Sequence, residues 1–243
     1  MNVLLTRPLA QVKTLEDLVS SSGHNPIIFP TLEVIAVDAK TQRQNYDAII
    51  FISANAVDYG IDLLKSIDYK SAKIFAVGCA TAKRLTDKGI SADGFPKNKA
   101  SSEALLAMDN VSQLSASNIL IFRGVGGREV LKNGLISRGN IVEYAEVYER
   151  VQSPILPLHK DSINNLLSSD DGIITITSID SMSAMLSIVE QINTDYIDIL
   201  KQYPMIVISE RIKRYVNSIG FDNVKVTSKT NDNGIVQSLK STL

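Results

Sequence analysis

A glycine-rich segment follows one of the most apolar runs of the chain, and its residues are well suited to binding a ligand. The run Ile119–Phe122 has the composition of a buried strand, and Gly124, Gly126 and Gly127 come soon after it. Glycine lets backbone N–H groups approach a ligand, and the start of the helix expected from about Arg128 carries partial positive charge. The segment lacks the third glycine of a dinucleotide-binding fingerprint and the lysine of a P-loop. It predicts a site for a phosphate or carboxylate, with a tight strand-to-helix turn as the alternative.

Small, polar or basic residues follow nearly every predicted strand, where they could contact the same ligand. In open α/β sheets, ligands bind outside the carboxyl ends of the strands. Hydroxyl side chains at these positions can donate hydrogen bonds to a ligand or cap the helix that follows, and the two roles are compatible. The positions are Thr6 and Arg7, Ser53, Thr81, Arg123 with Gly124, Ser178, and Ser209.

Residues for other kinds of catalysis are not arranged at usable spacings. His24 is expected in a loop and His159 in a proline-rich linker, and neither has a Cys or His partner at ligand spacing, so no metal site is predicted. The chain has no G-x-S-x-G elbow of a serine hydrolase. Cys79 lies between a strand and a helix without a nearby histidine, and we expect it to be a buried structural residue. An enzyme built from this chain would therefore use hydroxyls, backbone amides and arginines.

Composition excludes several classes of protein. The chain has 243 residues, of which 44% are hydrophobic and 21% charged, as in a globular protein with a sizeable core. A net charge of −1 gives no electrostatic footprint for nucleic acid. The single cysteine excludes an internal disulfide framework and fits a reducing compartment. With no signal-peptide pattern and no apolar run of membrane-spanning length, we expect a cytoplasmic protein without nucleic-acid or membrane partners.

Short apolar runs alternate with amphipathic stretches along the chain. This alternation predicts an α/β protein with parallel sheets and right-handed crossovers. Gly23, Gly89, Gly139 and Gly220 each stand where a helix should end. The predicted strands are Val3–Leu5, Ile27–Val37, Ala48–Ile52, Lys73–Val77, Ala92–Phe95, Ile119–Phe122, Ile141–Tyr148, Ile173–Ile176, Met205–Ile208 and Val224–Thr227. The predicted helices are Ala10–Ser21, Ala54–Lys65, Thr81–Lys88, Ser102–Met108, Arg128–Ser137, Ser181–Gln191, Arg211–Ser218 and Ile235–Ser241.

Ten strands suit two sheets of five better than one compact sheet, and two divisions of the chain are compatible with that. The simpler division is sequential, near residue 115. The unusually long extended segments Pro26–Val37 and Ile141–Val151 suggest a second division, in which they connect two domains. The first two strands and the last three would then share one sheet, and the middle five would form the other. The residues alone leave both open.

Seven motifs, in order along the chain, resemble the uroporphyrinogen-III synthase family. They are LLTRP (Leu4–Pro8), FISANAV (Phe51–Val57), AVGCATA (Ala76–Ala82), RGVGGREVL with the later RG (Arg123–Gly139), VYER (Val147–Arg150), ITSIDSM (Ile176–Met182) and ISERI (Ile208–Ile212). The resemblance implies two flavodoxin-like, doubly wound parallel-sheet domains joined by a two-stranded β-ladder, with the active site in the cleft. Residues 1–36 and 151–243 would form the discontinuous domain and residues 37–150 the other.

The same resemblance implies a cyclising hydro-lyase of haem biosynthesis. Such an enzyme converts linear hydroxymethylbilane to uroporphyrinogen III, with inversion of ring D and loss of water, and needs no cofactor or metal. The acetate and propionate groups of this linear tetrapyrrole would suit several helix N-termini. We expect a monomer, with transient contact with the upstream bilane-forming enzyme. The alternatives are a non-catalytic bilobal cytosolic protein that binds an anionic small molecule and, third, a glycosyltransferase-like enzyme with two similar lobes.

Several residues acquire candidate roles through the resemblance. Tyr148 matches the tyrosine proposed to assist departure of the substrate hydroxyl, although a tyrosine that only packs at a strand end is the alternative. Ile212 stands where many members have threonine, and Ser209 could serve instead. Ser53, Thr81 and Ser178 match positions that line the cleft. The predicted substrate-binding set is Thr6, Arg7, Ser53, Thr81, Arg123, Gly124, Gly126, Gly127, Ser178 and Ser209, with Tyr148 as the catalytic candidate.

Overall fold

A computed structural model describes residues 1–169 and 171–240 of the chain. The chain forms two compact units, one of Met1–Glu33 with Val151–Leu243 and one of Val34–Arg150. Each unit contains a five-stranded sheet. The α/β class with parallel sheets, predicted from the alternation of apolar runs and amphipathic stretches, is confirmed. The last predicted helix ends at Ser241, which lies outside the described residues.

The strands and helices follow the predicted alternation. The strands are β1 (Asn2–Leu5), β2 (Asn25–Ile28), β3 (Leu32–Ala36), β4 (Ala48–Phe51), β5 (Lys73–Ala76), β6 (Asn118–Gly124), β7 (Ile141–Gln152), β8 (Gly172–Ile176), β9 (Met205–Val207) and β10 (Val224–Val226). The helices are α1 (Leu9–Ser21), α2 (Ala54–Lys65), α3 (Cys79–Asp87), α4 (Ser102–Leu106), α5 (Asp109–Ser112), α6 (Val130–Ile136), α7 (Pro157–Leu167), α8 (Ile179–Ile192), α9 (Tyr196–Leu200), α10 (Glu210–Ser218) and α11 (Asp232–Leu239). The four glycines predicted to end helices have φ between 80° and 93°.

The first unit has the strand order β10-β9-β8-β1-β2, and its neighbouring strands pair in parallel. Counted within the unit, this is the flavodoxin-like order 2-1-3-4-5. Alternate residues of one strand enter different hydrophobic clusters, since Leu4 packs with Ile174 on one face while Val3 and Leu5 pack with Ile173 on the other. Both faces are therefore covered, as the continuous apolar runs predicted.

The second unit has the strand order β3-β7-β6-β4-β5, with β7, β6, β4 and β5 paired in parallel. Ile49 and Phe51 pack on one face of β4, and Ala48 and Ile50 pack on the other. The strand order reverses between β4 and β6, because β5 is added on one side of β4 and β6 and β7 on the other, and the carboxyl ends of β4 and β6 are therefore the topological switch point where ligands bind in this fold. β3 pairs with β7, and both strands cross the boundary between the two units along the chain.

Two predicted strands differ from the structure. The segment Ile27–Val37 is interrupted around Pro30, which has no N–H for a ladder, and forms β2 and β3. The strand predicted at Ala92–Phe95 is wrong, because only a single bridge joins Gly94 to Phe75. The carboxylate of Asp93 accepts the Ile74 N–H at 2.8 Å, a hydrogen bond made by a side chain instead of a backbone carbonyl.

The environments predicted for His159 and Cys79 are also wrong. His159 lies in helix α7, which begins at Pro157, since proline is tolerated in the first turn of a helix. The ring is buried, with Nδ1 accepting the Leu156 N–H at 2.9 Å and Nε2 lying 2.8 Å from the Pro30 carbonyl. Both ring nitrogens thus make hydrogen bonds to the backbone of the protein. Cys79 is exposed at the first position of α3.

Candidate active site

The hydroxyl groups of Ser53 and Tyr148 are hydrogen bonded at the switch point of the second unit. Ser53 directly precedes α2, and its Oγ accepts the Ala56 N–H at 3.0 Å, so it caps the helix as its residue type predicts. Tyr148 lies on β7, and its Oη is 3.1 Å from Ser53 Oγ. Two candidates that are 95 residues apart in the sequence therefore share one contact.

Strand β6 lies between β4, which precedes Ser53, and β7, which carries Tyr148, and Gly124 makes the contact between the two residues sterically possible. Gly124 ends β6 and is paired with Tyr148 at an irregularity in the ladder that follows Arg123. A Cβ at Gly124 would lie 2.6 Å from Tyr148 Cε2 and 3.1 Å from its Oη. The outer part of the phenol ring thus occupies the space that any other side chain would fill.

The ring of Tyr148 is packed, while its hydroxyl lies beside a partly exposed serine. Tyr148 is 5% exposed and belongs to the core cluster of the second unit. The Tyr59 ring is 6.0 Å away and the exposed guanidinium of Arg150 lies 5.9 Å from the Tyr148 ring centre. Arg150 is not among the predicted site residues, although period-two geometry places positions 148 and 150 on one face of an extended strand.

The glycine-rich segment forms a turn that a carboxylate of the protein already occupies. Gly126 and Gly127 have φ of 74° and 98°, a left-handed conformation that favours glycine. The Gly126 N–H donates to Glu146 Oε1 at 3.3 Å. The helix expected from Arg128 begins two residues later, at Val130, and is short. The turn thus has the backbone geometry of an anion site with an internal partner.

Arg123 holds this turn from the inside. It is 2% exposed, and its guanidinium donates to Glu129 Oε1 at 3.0 Å, lies 3.8 Å from Glu146 and sits 4.2 Å from the centre of the Tyr144 ring. The hydrogen bond from Tyr144 and then the pairing with Arg123 lower the pKa of Glu129. Burial, reinforced by the same hydrogen bond, raises the pKa of Tyr144 to about 12. The positive charge of Arg123 is therefore balanced within the protein.

Thr81 is the third residue of α3 and is nearly buried. Its backbone N–H is one of those that a helix start leaves without an intrahelical acceptor. Ala100 packs against Gly78, the residue that precedes the helix, so close that a Cβ at Gly78 would collide with it. The structure thus places Thr81 in the first turn of α3, with its side chain turned toward the core.

In the first unit, Thr6 and Arg7 are engaged in internal contacts. Thr6 is 1% exposed, and its hydroxyl donates to the Thr175 carbonyl at 2.7 Å and accepts from Ser181 at 3.0 Å. Arg7 forms an ion pair with Asp232 at the start of α11. The hydroxyl of Thr6 therefore joins β1, β8 and α8 in a buried polar network.

Ser178 and Ser209 follow strands β8 and β9 of the first unit and cap helices α8 and α10. Ser178 Oγ accepts the Ser181 N–H at 2.9 Å at the start of α8. Ser209 Oγ accepts the Ile212 N–H at 3.4 Å at the start of α10. Ile212, which replaces a threonine in the resemblance, is buried in the core of this unit. The hydroxyl near this helix start belongs to Ser209.

Metal-binding clusters and membrane-spanning helices are both missing from the described part of the chain. No group of three or more His, Cys, Asp or Glu side chains within residues 1–169 and 171–240 could hold a metal ion. Over the same residues, no helix has the length and apolarity needed to cross a membrane.

Fold and site together define an α/β protein of two flavodoxin-like units, with hydroxyls and helix starts at the carboxyl ends of its strands. A family model described as uroporphyrinogen-III synthase HemD matches residues 13–237. The chain belongs to the uroporphyrinogen-III synthase family, and it is a cyclising lyase of haem biosynthesis.

Relatives in sequence carry the same family name, and solved structures share the fold. The chain is 23% identical to the uroporphyrinogen-III synthase of Escherichia coli strain K12, over 99% of this chain and 100% of that protein. It is 26% identical to a putative uroporphyrinogen-III synthase of Methanocaldococcus jannaschii, over 91% and 90% of the two chains. The Helicobacter pylori 26695 uroporphyrinogen-III synthetase structure has the same fold, with a TM-score of 0.68, 17% identity and coverage of 100% and 99%. A mutant uroporphyrinogen III synthase of Thermus thermophilus gives a TM-score of 0.57 at 16% identity, with coverage of 99% and 98%.

Proposed function

We propose that this protein cyclises linear hydroxymethylbilane to uroporphyrinogen III, with inversion of ring D and loss of water, and that Tyr148 takes part in the first step. The observation that carries the role of Tyr148 is its hydrogen bond with Ser53 at the switch point of the second unit, 3.1 Å long. Such a position is where ligands meet this kind of sheet. In the proposed step, Tyr148 donates a hydrogen bond to the departing hydroxyl of the substrate.

The proposed reaction does not require a strong base. Loss of the hydroxyl gives an azafulvene, which closes to a spiro-pyrrolenine, and fragmentation with reclosure inverts ring D. The electron-rich pyrrole expels the hydroxyl readily, so the protein mainly folds the substrate and selects the attack geometry. Positioning of this kind can supply much of the barrier reduction.

The substrate carboxylates need several sites of weak attraction. We propose that Arg150 contributes one, because its exposed guanidinium lies close to Tyr148. The first turns of α3, α8 and α10 contribute others, near Thr81, Ser178 and Ser209. An anion at an exposed helix start gains about 0.3–1 kcal/mol, so several such sites together are required for firm binding.

The protein also has a proposed domain division, oligomeric state and location. We propose that residues 1–36 with 151–243 act as one domain and residues 37–150 as the other. The protein works as a cytoplasmic monomer and contacts the upstream bilane-forming enzyme transiently. Light scattering of the purified protein tests the monomer, because a stable dimer would double the measured mass.

The isomer of the product tests the proposed reaction directly. Purified protein is mixed with hydroxymethylbilane, the products are oxidised to porphyrins, and the type I and type III isomers are separated by chromatography. Unassisted closure gives type I, so type III that increases with protein concentration is the expected result. A protein that binds the bilane and releases only type I would contradict the proposal.

A further inference from the structure

We propose that Ser53 is a positioning residue that donates its O–H to Tyr148 and thereby directs the O–H of Tyr148 toward the departing hydroxyl. This inference rests on the proposed function, and it gives Ser53 a role through Tyr148 in place of direct contact with substrate. It begins from the two hydrogen bonds of Ser53 Oγ, to the Ala56 N–H at 3.0 Å and to Tyr148 Oη at 3.1 Å.

Counting donors and acceptors shows that Ser53 can donate in the second bond, and the substrate's need for the Tyr148 proton selects that direction over acceptance by the second Ser53 lone pair. A serine hydroxyl has one proton to donate and two lone pairs. The Ala56 N–H occupies one lone pair, which leaves the proton of Ser53 available for Tyr148. If Tyr148 donated to Ser53 instead, its only proton would point away from the substrate. Donation from Ser53 leaves the Tyr148 proton free for the departing oxygen.

The surroundings hold the phenol oxygen in place for this arrangement. The ring is enclosed by the core of the second unit and lies over Gly124, whose missing side chain provides the space. Ser53 is itself held, since it caps a helix of 12 residues. The remaining freedom of the tyrosine is rotation of its O–H, and the hydrogen bond from Ser53 controls that rotation.

The proposed step balances in atoms and charge. The C–O bond of the hydroxymethyl group breaks with its electron pair on oxygen, and this oxygen takes the proton of Tyr148 and leaves as water. The pyrrole nitrogen lone pair forms a ring C=N bond and the ring C=C electrons shift to form the new exocyclic double bond, which leaves a cationic azafulvene and a tyrosinate. Ser53 donates to the tyrosinate, and the proton released when the macrocycle closes restores Tyr148. A helix N–H that donates to Ser53 strengthens this chain of hydrogen bonds.

Four single variants and one double variant test the inference. Ser53→Ala removes both the cap and the donor, and Ser53→Thr restores both. Ser101→Ala is the matched control, because Ser101 caps α4 in the same unit by accepting the Ala104 N–H at 3.1 Å. Tyr148→Phe provides the background for a double variant. The measurements are kcat, KM, the ratio of type III to type I product and the melting temperature.

We expect Ser53→Ala to lower kcat by about tenfold, a fraction of the usual effect of general-acid assistance, with KM within about twofold of wild type. Ser53→Thr should recover most of kcat, and Ser101→Ala should lower the melting temperature without changing kcat. In the Tyr148→Phe background, Ser53→Ala should reduce kcat no further, because the group that it positions is already gone.

Different results would contradict the positioning role of Ser53 and the proposed function. An unchanged kcat in Ser53→Ala, a rise in KM alone, or an equal loss in the presence and absence of the Tyr148 hydroxyl would overturn the positioning role. Absence of type III product from the wild-type protein would instead refute the proposed function.

Discussion

Gly124 and Tyr148 are in such close contact that a methyl group at position 124 would overlap the phenol ring, with 2.6 Å between the added Cβ and Cε2. Gly124→Ala should therefore displace the ring from Ser53. Overpacking of this kind costs about 1–3 kcal/mol. We expect a folded protein with a large fall in kcat and a lower melting temperature.

Gly134→Ala is the control for this substitution, because its added Cβ would meet the flexible end of Leu106. It should leave kcat unchanged. If Gly124→Ala retained wild-type kcat, the precise seating of Tyr148 over β6 would not matter for the reaction.

Tyr148→Phe keeps the ring and removes only the hydroxyl. General-acid assistance commonly raises the rate about 100-fold or more. Because the substrate hydroxyl leaves readily, we expect the fall in kcat to be about 100-fold or less. We expect a substantial fall in kcat, more type I product and little change in melting temperature. Tyr203→Phe, which removes a hydroxyl bonded to the Leu166 carbonyl at 3.2 Å in the other unit, controls for simple loss of a hydrogen bond. Full activity with only type III product would exclude Tyr148 from the chemistry.

Arg150→Gln should weaken binding of the anionic substrate and leave the chemical step intact. An exposed charge pair is worth about 0.2–1 kcal/mol, so KM should rise roughly 1.5- to fivefold at low salt. Added salt should shrink the difference from wild type, since exposed charges are screened. Lys83→Gln, an equal charge change at an exposed position of α3, should leave KM nearly unchanged. Equal effects of the two substitutions would indicate a general loss of positive charge.

Substitutions that differ in backbone strain test whether the glycine-rich turn binds substrate. If the N–H groups near Gly126 and Thr81 hold substrate carboxylates, Gly126→Val should raise KM strongly and Thr81→Ala should raise it less. Valine is strained at the φ of 74° found here, so Gly126→Asn, which tolerates this conformation better, separates strain from loss of binding. Circular dichroism checks the fold. A folded Gly126→Val protein with normal KM would remove this turn from the binding site.

The ion pair inside the turn should make stability depend on acid pH. Because the folded protein lowers the pKa of Glu129 from its ordinary value of 4.5, the carboxylate adds stability above that value. That contribution disappears as pH falls below 4.5 and through the lower pKa of the folded state. Glu129→Gln should therefore melt below wild type at pH 7, and the two proteins should converge toward pH 3. Glu190→Gln on the exposed face of α8 controls for the charge change. A difference independent of pH would contradict this account.

Apolar runs and helix-capping residues in the sequence correctly predicted most strands and helix starts, because short stretches of the chain determine them. Continuous apolar runs such as Ile173–Ile176 became strands buried on both faces, and Ser53 became the helix cap that its type and position suggest. The strand predicted at Ala92–Phe95 is wrong because pairing there is limited to the bridge at Gly94, and the Ile74 N–H donates to the Asp93 carboxylate. Helix α7 was missed because prolines indicate a linker unless one of them stands at a helix start.

The contacts within the site depend on strand order, which the sequence does not reveal directly. Ser53 follows β4 and Tyr148 lies on β7, with β6 between them. They are in contact because Gly124 at the end of β6 leaves room for the Tyr148 ring to pass over that strand. Likewise, nothing local indicates that Arg123 lies beside Glu146 or that Thr6 donates to Thr175. Residue types predicted which positions could do chemistry, whereas long-range pairing decides which of them touch.

The discontinuity of the first unit has a consequence for vectorial synthesis on the ribosome. Strand β1 pairs with β2 on one side and with β8 on the other, yet β8 begins only at Gly172, while the second unit is one uninterrupted segment, Val34–Arg150. Domains generally fold as units while the chain emerges. We therefore expect the second unit to fold first, leaving the apolar N-terminal strands without their partners until the last third of the chain is made. During that interval we expect the exposed apolar strands to make the nascent chain bind a chaperone.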